Sequence, residues 1–274
     1  MPRSTPTDQK TLSRLFSNRH IPVAEIGFYN HPNFLAAERD DATFLELYGA
    51  WVRARPRSQS YDAHVRAVVP IMATRLAKEI LKDGQLGVCI DASMMLSKML
   101  EEQGIWCYAA KGALSIEAPG LSTPTHFWLY DTEPCAGHAW IVAPPFEIID
   151  IALKAQPYQR GEAEHLPEAL ICEVPTRIQP EAHEYVSSDI IQAEFAARGA
   201  FPTDLHFRIA PALRSVSESF PSWEVRTGEV VLRYAIGGVT LSDGETLYDI
   251  ESRTWNGRSA GEVYDQIILP AVSA

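Results

Sequence analysis

The sequence is poor in the features that announce many protein classes. Its four cysteines, Cys89, Cys107, Cys135 and Cys172, lie far apart and form no C-x-x-C pair. Without a secretory context, an even cysteine count is no sign of a disulfide framework. No apolar run reaches the roughly 18 residues that a membrane helix needs, so nothing is expected to span a bilayer. The opening MPRSTPTDQKTLSRLF has no apolar h-region before a small-residue cleavage site, which points to the cytoplasm and to reduced thiols. Basic residues are outnumbered, 24 Lys and Arg against 35 Asp and Glu, for a formal net charge of -11. A general electrostatic grip on nucleic acid or anionic lipid wants the opposite sign. Phosphate-loop, dinucleotide and H-E-x-x-H signatures are absent, and GGVTLSDGE lacks both the spacing and the lysine of a P-loop. There is no internal repeat and no low-complexity tract.

What is present reads as an α+β protein. Phe44, Leu45, Leu47, Tyr48, Trp51 and Val52 recur at the spacing of one helix face, and RARPRSQS breaks the run. A second helical run covers about Tyr61 to Leu81, with Pro70 expected to kink or restart it. A third helix begins near Cys89, with Ile90, Met94, Leu96, Met99 and Leu100 as its inward stripe and Gly104 as its stop. After Gly104 the period changes. WCYAAKGALSIE, HFWLY, HAWIVA and FEIIDIAL are short β-rich runs separated by Pro, Gly, Thr and Asp. ALICEV suggests another strand, PTRIQPEAH a turn-like boundary, SSDIIQAEFAARG a capped helix, EVVLRYAIGGVTL a strand pair or bulged strand, and SAGEVYDQIIL a closing helix. The expected division is an N-terminal helical region over 1–83, a core over 84–175, in which the Cys89 helix packs on an antiparallel sheet, and a small α+β region over 176–274.

The chemistry centres on Cys89. A thiol is nucleophilic only as thiolate, and the first turn of a helix lowers its pKa through backbone N–H groups and the macrodipole. Gly87 lets the backbone turn into that helix, and the same N–H groups suit an oxyanion. A base and a carboxylate must then come from downstream. His138 opens HAWIVA and Asp150 ends FEIID, with Pro144 and Pro145 almost midway between them. Antiparallel pairing about that turn would bring the start of the first strand near the end of the second. His126, in THFWLY, is the rival base, although Asp131 comes too soon after it to serve as its carboxylate. Gln85 is a candidate oxyanion donor, otherwise an ordinary turn residue. Asp91 reads as a first-turn carboxylate that stabilises the helix dipole.

Each of these residues also has a plain reading. Cys89 and His138 could simply fill the core, and Asp150 could end a strand. Cys107 and Cys172 sit among apolar neighbours and read as core. Cys89, Cys135, His126 and His138 could be written as a zinc site, but they lack the two close ligand pairs usual for structural zinc. No metal or cofactor is expected.

GVCIDASMMLSKMLEEQGI, then HAW, then IID resembles the core of the transglutaminase-like superfamily, within the wider papain-like group. The matching positions are Gly87, Cys89, Asp91, Leu100, Gly104, Ile105, His138, Ala139, Trp140 and Asp150, over roughly residues 84 to 153. The family's Asp-Pro-Thr ending is replaced here by Asp150-Ile151-Ala152. The resemblance implies a papain/transglutaminase-like core with Cys89 as nucleophile, His138 as general base and acid, and Asp150 as its orienting carboxylate. It also implies a thioester formed from an amide or ester. Members include cross-linking enzymes, deamidases, peptidases, amide synthases and inactive relatives, so fold and triad do not choose among them. The expected activity is hydrolysis of a polypeptide or small amide, with transfer to an amine next. The alternative is a catalytically inactive binding or scaffold protein.

Overall fold

Asp8 turns the chain into its first helix, α1 (Gln9–Ser17), by accepting the Thr11 N–H through its carboxylate at 2.9 Å. The computed structural model describes residues 8–134, 137–199, 203–240, 245–250 and 255–273. Helices α2 (Pro32–Asp40) and α3 (Leu45–Ala54) follow, joined by a 3-10 turn over Ala42–Phe44. Helix α4 (Gln59–Asp83) is capped by the Ser58 hydroxyl and ended by Gly84 at φ 80°. Pro70 lies inside α4, and the helix does not restart there. The missing N–H forfeits one backbone bond, and a buried stripe of Val65, Val69, Met72, Leu76 and Ile80 holds the helix in place on either side.

Helix α5 (Cys89–Glu102) starts where the sequence placed it, but its inward face is rotated. Ile90 is exposed and Met94 half-buried, whereas Cys89, Ala92, Met95, Leu96, Met99 and Leu100 are buried. Because Cys89 itself takes the inward position, the next residue turns outward by the 100° step of the helix.

The strands are β1 (Tyr108–Glu117), β2 (Thr125–Phe127), β3 (His138–Ala143), β4 (Phe146–Asp150), β5 (Leu170–Cys172), β6 (Thr176–Ile178), β7 (Ser222–Thr227) and β8 (Val230–Thr240). They form an eight-stranded sheet in the order β5-β4-β3-β1-β8-β7-β6, with β2 paired to β1. The pairs β1–β2, β3–β4, β4–β5, β6–β7 and β7–β8 are antiparallel. The remaining helices are α6 (Ala182–Tyr185), α7 (Ser188–Arg198), α8 (Leu205–Ile209), α9 (Ala212–Ser219), α10 (Ala260–Val263) and, after a π turn over Tyr264–Ile268, α11 (Leu269–Ser273).

Three differences from the sequence reading have local causes. Within EVVLRYAIGGVTL, Val230–Thr240 is one strand and not a pair, and one of its neighbours is SWEVRT, an alternating stretch with charge at Glu224 and Arg226. A Cβ added at Gly237 in β8 would lie 2.4 Å from the Leu129 side chain and 3.3 Å from Gly112 Cα, so this glycine serves close approach and not a turn. PTRIQPEAH contains β6 and the start of α6, two elements too short to show a period.

Contacts group the described residues into two compact units, each assembled from separated stretches. One comprises Ala110–Ala139 and Pro175–Gly238; the other comprises the described residues of Pro6–Ala109, Trp140–Val174 and Val239–Ala274. In the first, Ala113, Tyr185, Val186, Leu205, Leu213 and Ala235 form a core cluster. In the second, the N-terminal helices meet through edge-to-face rings: Phe16–Phe28 at 5.1 Å, Phe28–Tyr48 at 5.0 Å and Phe34–Phe44 at 4.9 Å between centroids. Such pairs add about 0.5–1.5 kcal/mol each beyond area burial. Beside them a polar group is buried. Lys98 Nζ donates to the Tyr29 hydroxyl at 2.7 Å, and that hydroxyl donates to Glu101 Oε1 at 2.7 Å. Among the described residues no helix is long and apolar enough to cross a membrane.

Candidate active site

The approach to Cys89 is set by backbone. Gly87 holds φ at +73°, a conformation that only glycine adopts without cost, and its N–H donates to the Ala155 carbonyl at 2.9 Å. Val88 precedes α5 and offers no side-chain acceptor to the first-turn N–H groups. Cys89 is the first residue of this 14-residue helix, at the positive end of its dipole. The residue is 4 % exposed. Cys107 is a different case: it is fully buried, its thiol donates to the Ser97 carbonyl at 3.5 Å, and burial holds it in the neutral form. Cys172 sits half-buried on β5, its thiol pKa raised by burial.

Asp150 is 1 % exposed at the end of β4, and its Oδ1 accepts the Ala152 N–H at 3.1 Å. The irregular segment that follows is bonded to itself and to the turn before α5. The Ala152 carbonyl accepts from the side-chain amide of buried Gln156 at 2.8 Å and from the Ala155 N–H at 3.0 Å. The Tyr158 hydroxyl donates to the Leu153 carbonyl at 2.6 Å. Burial pushes the pKa of that phenol far up, and negative charge on Asp150, Glu162 and Cys89 adds to the shift. Tyr158 is thus within electrostatic reach of both the cysteine and the carboxylate singled out from the sequence. Glu162, 1 % exposed, accepts from the Arg160 N–H at 2.8 Å and from Arg160 Nε at 3.3 Å.

His138 begins β3 and is fully buried. In its own unit the ring lies 6.0 Å from Phe127 and 6.3 Å from Tyr234, centroid to centroid. β3 and β4 are antiparallel about Pro144 and Pro145, as the sequence suggested, with Ile141 opposite Ile149 and Ala143 opposite Phe146. The register shifts by one residue between those pairs. Counted from the Ile141–Ile149 pair, Trp140 and Asp150 fall opposite one another on one face of the hairpin, since side chains alternate along each strand.

His126 pairs opposite Ser115 on β2 and stacks on Trp128, 5.1 Å between centroids and 4° from parallel. Asp131 accepts from the backbone and hydroxyl of Thr132 next to it, a turn contact. Gln85 is exposed in the turn between α4 and α5. Leu86 and Ile90 leave apolar surface open on both sides of Cys89, at 60 % and 37 % exposure. Trp140 is buried, as expected of a residue that excludes water or fills core. Among the described residues no group of three or more His, Cys, Asp or Glu is placed to hold a metal ion, and Cys135 lies outside them.

Tyr158, Gln156 and the Gly87–Ala155 bond were not legible in the sequence. AQPYQRGEAEH has no periodicity, and nothing in it marks a glutamine or a tyrosine as buried. Compared with protein families, with curated proteins and with solved structures, the chain matches none.

Proposed function

We propose that this chain is a cysteine-dependent acyl enzyme of transglutaminase-like type, acting in the reducing cytoplasm on a polypeptide or small amide. Cys89 is the nucleophile, His138 the general base and acid, and Asp150 the carboxylate that orients the imidazole. The Cys89 thiolate attacks the amide carbonyl carbon, and oxyanion charge is met by first-turn N–H groups, with Gln85 as the side-chain candidate. His138 returns the proton to the departing amine, which leaves a thioester on Cys89. Water, or an acceptor amine, then gives a proton to His138 and attacks the thioester, releasing the acyl product and restoring the thiol.

The observation that carries the reading is the placing of Cys89 at the start of α5, joined to the Asp150 segment through the Gly87–Ala155 bond. The antiparallel pairing of β3, which His138 opens, with β4, which Asp150 ends, supports it. A second reading, a non-catalytic relative used for binding, is favoured by the burial of Cys89 and His138. Labelling with an iodoacetamide probe at neutral pH separates the two. Wild-type protein labels at Cys89, and Cys89→Ala loses that label. Labelling confined to Cys107, Cys135 or Cys172, unchanged in Cys89→Ala, overturns the enzymatic reading. A screen of acyl substrates, read by the mass of a thioester on Cys89, then identifies the acyl group.

A further inference from the structure

The segment after β4 is fastened at both ends. At one end Asp150 Oδ1 accepts the Ala152 N–H. At the other the Ala155 carbonyl accepts the N–H of Gly87, two residues before Cys89. Between them, the Ala152 carbonyl collects the Ala155 N–H and the side-chain amide of Gln156. The turn is therefore cross-linked by one side chain. Gln156 is 4 % exposed, and a buried glutamine is uncommon unless its amide is used.

We propose that residues 151–158 form a bracket that sets where α5 begins relative to Asp150, and that Gln156 is its positioning residue. Gln156 reaches the chemistry through Ala152 and Ala155, whose carbonyl holds Gly87 and through it the entry into the Cys89 turn. The bracket rests on the acyl-enzyme reading for its purpose, though its bonds stand on their own. Holding Gly87 at positive φ keeps the first-turn N–H groups aimed at the sulfur. Releasing it lets the turn fray, and the thiolate loses part of its stabilisation. Tyr158 closes the same segment through the Leu153 carbonyl.

The test is the pH profile of alkylation at Cys89, followed by peptide mass in the full-length protein. Gln156→Met keeps the volume and removes the donor. It is expected to raise the midpoint of the profile by about half a unit to one unit, the scale on which helix-terminus interactions move a thiol. Tyr158→Phe is expected to act in the same direction and serves if Gln156→Met does not fold. Tyr185→Phe removes a similar buried bond, from its hydroxyl to the Ile236 carbonyl at 3.0 Å, in the other unit, and should leave the midpoint unmoved. A lowered wild-type midpoint that Gln156→Met and Tyr158→Phe leave in place overturns the bracket alone. An equal shift in Tyr185→Phe also overturns it, since the effect would then be general loosening. An ordinary thiol profile in the wild type overturns the acyl-enzyme reading and the bracket's purpose with it.

Discussion

Ile141 stands opposite Ile149 across the β3–β4 hairpin, one residue out of step with the pairing of Ala143 and Phe146 beside the turn. Glu147 and Ile148 occupy the span where the facing strand has Val142 alone. In a hairpin without this shift, Asp150 would turn to the other face from Trp140, because a one-residue slip reverses every side chain. Arg53 holds the extra residue, with Nη1 and Nη2 on the Glu147 carboxylate at 2.6 and 3.2 Å. Glu147→Ala removes this fork and frees the strand to slip. The variant is expected to be about 1–3 kcal/mol less stable by chemical denaturation, the range for a charge-assisted pair. Thioester formation at Cys89 is expected to fall with it.

Gly137, directly before His138, has φ +64°, and a Cβ there would lie 2.3 Å from the Gly112 carbonyl oxygen. Gly137→Ala forces both a strained backbone and a displaced strand. A loss of at least about 2 kcal/mol is expected, measured by thermal or denaturant unfolding.

His206 lies 4 % exposed against Tyr185, with ring centroids 5.2 Å apart and planes 12° from parallel, and 3.9 Å from Phe207. Burial lowers its pKa below the ordinary 6.5; Asp204 opposes the shift and Arg214 adds to it. The unfolded chain therefore binds this proton more readily than the native state. The contribution is intact above the unfolded value and is lost as pH falls below about 6.5 toward the folded pKa. Melting temperatures from pH 8 to pH 5 should fall more steeply in the wild type than in His206→Phe.

Lys98 is 3 % exposed and sits 3.6 Å from Glu101. Burial raises the Glu101 carboxyl pKa, and Lys98 together with the Tyr29 hydroxyl opposes the rise. Lys98→Met leaves that carboxylate without its cation and is expected to cost about 3 kcal/mol at neutral pH. Because the Glu101 pKa climbs further in the variant, its deficit against wild type should grow as pH rises from 5 to 8 and shrink in acid. Paired denaturation curves at the two ends of that range check the sign.

The parts legible in the sequence were those with a strong local signal. HAWIVA and FEIID are strands because β-branched and aromatic residues crowd between turn formers. Helix α5 begins at Cys89 because glycines flank a periodic run. Other features are set by partners distant along the chain. The face of α5 depends on which residue points inward first, and Cys89 took the position given to Ile90. β7 alternates Trp223 and Val225 with Glu224 and Arg226, a pattern too short to stand out without its pairing with β8. The Gln156 and Tyr158 bonds run to backbone carbonyls, which have no sequence signature at all. The β3–β4 hairpin was reachable from the sequence because HAWIVA and FEIID flank Pro144 and Pro145; the segment that holds Gly87 was not.

Both compact units are assembled from stretches far apart in the chain, and the second draws on residues as late as Val239 onward. Neither can be completed by a nascent chain that has emerged only through the α5 helix and the β3–β4 hairpin. On a ribosome, Cys89 and Asp150 are made well before Val239, yet their unit must wait for the residues that follow it. Folding in vitro should be correspondingly slow, governed by closure of long loops and not by helix formation.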